Sequence, residues 1–508
     1  MHNGRVRGFE HNERAGGVIL HPTSLPGPYG IGDLGPEAHR WIDLLGDSGT
    51  GLWQVLPLGP TGFADSPYAA LSSFAGNLNL ISPDLVAADG LGDWNEPPAS
   101  APPTRVDYGS VIPAKEALIA RASTAFAAGA GSPDLGAALA AFRAGAGHWL
   151  EDYALYVTCK RLNDGRAWWD WDGPLRLRAP DALRTVRREH AAVIDEVVFG
   201  QFLFSRQWTA LRRHAAERAV RIIGDVPFFV AEDSADVWSQ PELFDLAPDG
   251  TPNHVAGVPP DYFSTTGQLW GNPQYRWERH AADGFSWWLD RLGAAFDQVD
   301  LVRIDHFRAF ADYWEIPAGR ETAVDGRWRD GPGLEFFTAV GDRFESVPII
   351  AEDLGEMSPK VPDLLAAVGF PGMRVLQFAF EGETDDPFLP HRYPLNTVAY
   401  TGTHDNDTTL GWWQAARPAH RAAAAAYLDA DPGDPVAAFL EALWGSAALL
   451  VLAPLQDFLR LGSSARMNSP GTTDGNWQWR APELTADVGH QLMRLNAAHG
   501  RSSGIHVS

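Results

Sequence analysis

Short apolar, β-branched runs recur along the 508-residue chain, and several end on a polar or acidic residue. The clearest are Gly17-Val-Ile-Leu-His21, Leu52-Trp-Gln-Val-Leu-Pro57, Arg221-Ile-Ile-Gly-Asp225, Leu301-Val-Arg-Ile-Asp305 and Pro348-Ile-Ile-Ala-Glu352; residues 373–380 and 397–403 read as two more. Each has the length of a strand buried on both faces, and helical periodicity fills many of the intervals. Strands this apolar, alternating with helices, indicate a parallel sheet covered on both sides. Seven or eight such units predict an α/β protein, a single (β/α)8 TIM barrel over residues 1–508; an open doubly wound sheet also satisfies the pattern.

The spacing between runs is uneven. Residues 83–219 are too many for one crossover and carry helical patterns at 114–128, 135–144 and 149–162, which predicts an inserted helical subdomain. Residues 247–275 are rich in Gly, Pro, Asn and aromatics without a period, which predicts a long ordered lid loop over a site. The alanine run near Ala422 reads as a surface helix.

Composition narrows the function classes. A formal net charge of -24 disfavours sequence-independent nucleic-acid binding and docking on anionic membranes, while suiting a neutral substrate. Cys159 is the single cysteine, so an intrachain disulfide and a multi-cysteine metal site are both excluded, and it reads as a buried apolar thiol. The first fifteen residues hold no apolar core of a secretory signal. The longest apolar stretch, residues 447–455, is broken by Pro454 and too short to span a bilayer, so a cytoplasmic protein is expected. Lys115, Lys160 and Lys360 are the only lysines, which leaves few candidates for Schiff-base chemistry.

Barrel active sites lie at the C-terminal ends of the strands, where Asp225, Asp305, Glu352 and Asp405 are expected to converge. One such acid is as often a helix cap; four on one rim are harder to explain that way. Arg303 and Asp305, two apart on a strand, project to the same side, and the guanidinium is expected to keep Asp305 ionised. Glu352 follows the apolar run 347–351, so burial is expected to hold its proton near neutral pH, with Asp353 free to cap the next helix. One ionised and one protonated carboxyl form the arrangement that cleaves glycosidic bonds. His404 and Asp405 would grip sugar hydroxyls, although a polar turn fits the same residues. Tyr262, Phe263, Trp270 and Asn272 in the loop, with Tyr68 and Asn77 upstream, supply the aromatic faces and amides that sugars require.

These segments, in order and spacing, resemble the amylomaltase (4-α-glucanotransferase, disproportionating enzyme) family along nearly the whole chain. The resemblance rests on His21-Pro-Thr-Ser-Leu-Pro, Trp53-Gln-Val-Leu-Pro-Leu-Gly-Pro, Asp65-Ser-Pro-Tyr, Gly224-Asp-Val-Pro-Phe-Phe-Val, Gly257-Val-Pro-Pro-Asp-Tyr-Phe, Gly267-Gln-Leu-Trp-Gly-Asn-Pro, Arg303-Ile-Asp-His-Phe-Arg, Ala351-Glu-Asp-Leu-Gly, Gly402-Thr-His-Asp-Asn and Arg466-Met-Asn-Ser-Pro-Gly. It implies a retaining glucan transfer with Asp305 as nucleophile, Glu352 as acid/base and Asp405 as transition-state stabiliser. It also implies sugar contacts from Tyr68, Asp225, Trp270, Arg303, His404 and Asn468, a lid around 259–263 (Tyr262 and Phe263 included), and no C-terminal β-sandwich. Malto-oligosaccharides, amylose and glucose would be donors and acceptors, with no metal or organic cofactor. Ser469 departs mildly from the pattern expected before Pro470-Gly471. Three rivals stand beside this reading: an α-glucan hydrolase with the same carboxylates, a non-catalytic glucan-binding protein that uses the tryptophans as platforms and needs no strand-end acids, and a metal-dependent barrel enzyme using Asp225, Asp305 and Glu352 as ligands.

Overall fold

The computed structural model describes residues 14–93, 103–260, 264–355, 358–380 and 386–503. Its strands, in chain order, are β1 (Ala15–Ile19), β2 (Leu52–Gln54), β3 (Arg221–Pro227), β4 (His254–Val258), β5 (Gln268–Pro273), β6 (Leu301–Asp305), β7 (Asp312–Pro317), β8 (Arg327–Asp330), β9 (Ile349–Ala351), β10 (Gly372–Val375), β11 (Thr397–Tyr400) and β12 (Leu450–Pro454). Eight lie parallel in the order β10-β11-β12-β1-β2-β3-β6-β9. The Ala351 N–H donates to the Pro371 carbonyl at 2.9 Å, tying β9 to the start of β10 and closing the barrel.

Alternation along the strands decides what fills the barrel. Leu52, Ile223, Leu301, Ile350, Met373, Val375, Val398, Tyr400, Leu450 and Leu452 pack together as one buried cluster. Their immediate neighbours, among them Trp53, Ile222, Val302, Ile304, Ile349, Ala351, Ala399 and Val451, belong to a larger core shared with the surrounding helices. A period of two therefore carries the inward face from Ile223 to Asp225, from Leu301 through Arg303 to Asp305, and from Ile350 to Glu352.

The eighth barrel strand is β12, inside the apolar stretch 447–455 whose length ruled out only a membrane span. Residues 376–380, expected to prolong a strand from 373, wind into a 3-10 helix (Leu376–Phe380). The strand expected over 397–403 stops at Tyr400 because side chains take over the backbone: Asn406 Oδ1 accepts from the Thr403 N–H at 2.8 Å and from its hydroxyl at 2.9 Å.

Between β2 and β3 the helices Tyr108–Ala127, Leu135–Gly145 and Gly147–Leu162 fall close to the three predicted helical patterns. They pack on the 27-residue helix Ala191–Glu217, for example through Phe126 against Phe199 with ring centroids 4.9 Å apart. That helix also grips the loop after β2. Buried Gln201 donates to and accepts from Gly76, and Gln207 does the same for Ser82.

The segment 247–275, expected as a loop without regular structure, contains β4 and β5. These pair antiparallel and continue through β7 to β8 as a four-stranded sheet. The partner strand β7 lies more than fifty residues downstream, and the Gly- and Pro-rich segment lacks a clean two-residue alternation, so the pairing left no local signal. Gly257 is required by this contact, since a Cβ there would sit 2.2 Å from the Gln268 carbonyl oxygen. Tyr262 and Phe263 lie outside the described residues. Among the described residues no helix is long and apolar enough to cross a membrane.

Candidate active site

The register of the barrel brings the predicted acids to one mouth. Asp225 pairs across with Arg303, Pro227 with Asp305, and Ile304 with Ala351, so Asp305 and Glu352 leave neighbouring strands at the same level. Arg303 joins two of the acids. Its Nη1 donates to both oxygens of Asp225 at 2.8 and 2.7 Å, and its Nη2 lies 2.9 Å from Asp305 Oδ1. The Tyr68 hydroxyl donates to Asp225 Oδ2 at 2.7 Å, and its ring stacks on His404 with centroids 4.9 Å apart. Asp225 is thus consumed as a buttress: one oxygen holds the guanidinium alone and the other also holds the phenol. The counter-charge between Asp225 and Asp305 is a guanidinium, which leaves those two oxygens committed.

Among the described residues, backbone N–H groups orient Glu352. Its Oε2 accepts from the His306 N–H and its Oε1 from the Leu354 N–H, both at 2.8 Å. The first bond exists because His306 adopts the left-handed conformation (φ 54°), a strained choice for a residue with a Cβ, costing about 1–3 kcal/mol. The turn directs the N–H after Asp305 at the neighbouring strand's carboxylate. Asp405 stands five residues beyond β11, on a turn rather than at a strand end. Its Oδ1 accepts from Asn468 Nδ2 at 2.6 Å, its Oδ2 lies 3.3 Å from His404 Nε2, and Arg466 Nη2 holds its carbonyl at 2.5 Å.

The electrostatics separate these acids. Burial pushes Asp305 up, and Arg303 pulls back without restoring the ordinary value. The guanidinium thus favours the ionised form of Asp305, as expected, but it works against burial, which is the larger influence. Glu352 rises to about 7, through burial first and then the negative field of Asp305, against the opposing pull of Arg303 and the two N–H groups. Arg303 touches Asp305, so of the pair Glu352 is the one that retains the proton. For Asp405, burial acts upward, but His404 and Asn468 together hold it well below the usual carboxylate range. His404 is raised despite its burial, because Asp405 stabilises its charge, whereas burial and the charge of His404 push His21 down to about 3. His21 is therefore held neutral, while Asp405 favours the charged form of His404.

Trp270 is 38% exposed, with its ring meeting His306 edge-on at 4.8 Å, so it presents an apolar face beside the acids. Two residues expected to touch sugar have other duties. Asn272 donates to the Val230 carbonyl at 2.8 Å, and Asn77 caps the turn Leu78–Leu80. Asp353 does not cap the helix that follows; its Oδ1 accepts from the Met373 N–H at 2.6 Å and anchors β10. Ser469 donates its N–H to Asn476 Oδ1 at 2.9 Å within its own loop. The contribution of His306 was missed, because a left-handed histidine has no sequence signature. The role of Arg466 was visible only as part of a motif. Among the described residues, no group of three or more His, Cys, Asp or Glu is arranged to hold a metal ion.

Comparison with known proteins places this geometry. The family model described as 4-alpha-glucanotransferase matches residues 20–485. The chain is 49% identical to the 4-alpha-glucanotransferase of Thermus thermophilus, covering 96% of this chain and 99% of that one. It is 44% identical to the 4-alpha-glucanotransferase of a Synechocystis strain, covering 92% and 94%. Among solved structures, the amylomaltase from Streptococcus agalactiae in complex with acarbose superposes with a TM-score of 0.93 at 36% identity, over 96% of this chain and all of that one. The family-model match over residues 20–485, the high identity to named relatives and the shared barrel agree, and the chain belongs to the 4-alpha-glucanotransferase (amylomaltase) family.

Proposed function

We propose that this protein transfers α-1,4-glucan segments between malto-oligosaccharides by a retaining double displacement. Asp305 attacks the anomeric carbon from its carboxylate while Glu352 gives its proton to the departing glycosidic oxygen, leaving a glucosyl ester on Asp305. Glu352, now a base, removes the proton from the 4-hydroxyl of a second glucan, whose oxygen displaces Asp305 and restores the starting state. Asp405, held ionised by His404 and Asn468, faces the positive charge that develops on the ring. Tyr68, Asp225, Arg303, His404, Trp270 and Asn468 form the walls that position the sugar, with Tyr262 and Phe263 assigned to the lid. The strand pair within 247–275 closes over the acceptor side, and the helices of 83–219 form the insertion. Malto-oligosaccharides, amylose and glucose serve as donors and acceptors in the cytoplasm, without a metal or organic cofactor.

The observation that carries this reading is the split between two acids on adjacent strands: Glu352 raised to about 7 beside an Asp305 paired with Arg303 at 2.9 Å. Incubation with maltotriose tests it. Longer maltodextrins together with glucose are expected; maltose and glucose alone would make the protein a hydrolase using the same residues.

A further inference from the structure

The turn that carries His404 and Asp405 is fastened by an acid the mechanism above does not use. Asp457 lies in the short helix Leu455–Phe458 directly after β12 and is 1% exposed. Its Oδ2 accepts from the hydroxyls of Thr401 and Thr409, each at 2.7 Å, and its Oδ1 accepts from the Thr409 N–H at 2.8 Å. Thr401 follows β11 and Thr409 opens the helix Thr409–Ala415, so one buried carboxylate joins the two ends of the loop 401–409. Both threonines are fully buried.

A lone buried carboxylate is unfavourable unless its lone pairs are satisfied, and hydrophobic filler would stabilise the fold as well or better. Arg460, a cation that acts on Asp457, is instead ion-paired to Asp434 at 2.8 Å. Three of the donors that satisfy Asp457 belong to the loop ends. Between those ends the loop is held by further contacts, among them Gln377 Nε2 on the Asp407 carbonyl, Ser463 Oγ on Asp407 Oδ2, and the Thr403–Asn406 turn, none of which joins one end to the other. Arg466, on the Asp405 carbonyl, and Asn468, on the His404 carbonyl and the Asp405 carboxylate, hold the middle of the turn from a further loop, whereas Asp457 ties its two ends.

We infer that Asp457 is a positioning residue for Asp405, fixing the height at which the 401–409 turn presents that carboxylate to the barrel mouth. This rests on the role proposed above for Asp405. A carboxylate that acts only in the transition state loses its effect when displaced by about 1 Å, whereas substrate affinity, spread over many contacts, changes little.

The test compares Asp457→Ala and Asp457→Asn with the parent enzyme by maltotriose turnover, with thermal unfolding in parallel. For Asp457→Ala, kcat should fall about 10- to 100-fold with KM within about threefold, and Asp457→Asn, which keeps shape and one acceptor, should recover most of the loss. A folded Asp457→Ala enzyme with kcat within about threefold of the parent would overturn the inference, as would a loss expressed in KM alone. Should Asp457→Ala fail to fold, Thr401→Val decides: it removes one donor at nearly constant volume and should lower kcat about three- to tenfold, and an unchanged kcat overturns the inference. A parent that only hydrolyses maltotriose would sink the transferase reading, while the ratio of variant to parent turnover still decides the role of Asp457.

Discussion

The raised Glu352 links activity to stability in a way one substitution exposes. Its carboxyl titrates at about 7 in the folded protein against an ordinary 4.5, which at a partly open barrel mouth is worth up to about 3 kcal/mol. The folded value is raised, so the stabilisation is fully present below about pH 4.5 and is lost as pH climbs to about 7. Glu352→Gln removes the titration. The glutamine amide sets a donor against one of the N–H groups of His306 and Leu354, but that penalty is the same at every pH and cancels when the pH dependences of the two proteins are compared. Denaturant unfolding of parent and variant at pH 4 and pH 8 should therefore show the variant gaining up to about 3 kcal/mol relative to the parent at the higher pH, while its turnover is abolished. In the parent, kcat/KM for maltotriose should decline above about pH 7 as the general acid loses its proton. Equal pH dependence of stability in the two proteins, or activity undiminished well above neutrality, would refute the assignment of the proton to Glu352.

Asp305→Asn should lower transfer by at least about 10⁴-fold while retaining maltodextrin affinity, measured by calorimetric titration, since the nucleophile contributes chemistry rather than grip. Binding lost together with turnover would point to a structural role for Asp305. Tyr68→Phe removes the hydrogen bond to the buttress Asp225 and should cost about 1–2 kcal/mol of stability with about a tenfold fall in kcat, read by calorimetry and glucose release. A variant indistinguishable from the parent in both would show that Arg303 alone holds Asp225.

The strands that carry Asp225, Asp305 and Glu352 to the mouth are legible because their apolar runs are bracketed by helical periods, and the period-two rule by itself puts Arg303 and Asp305 on one side. The helices of 83–219 were legible for the same reason: an i, i+3, i+4 pattern is local. β12 was not, since an apolar run of that length is compatible with any buried element, and β4 and β5 were not, since their hydrogen-bond partners are remote.

What the sequence determined by itself was the set of charged and aromatic groups, their order, and the face of each strand on which they stand. Tertiary structure decided the rest. It set the shared rung of Asp305 and Glu352, the capture of Asp225 by Arg303 and Tyr68, and the left-handed turn at His306 that aims an N–H at Glu352. It also made burial, rather than the adjacent guanidinium, the larger influence on Asp305. Pair energies and dehydration depend on distances between residues far apart in the chain, and those distances exist only once the barrel has closed.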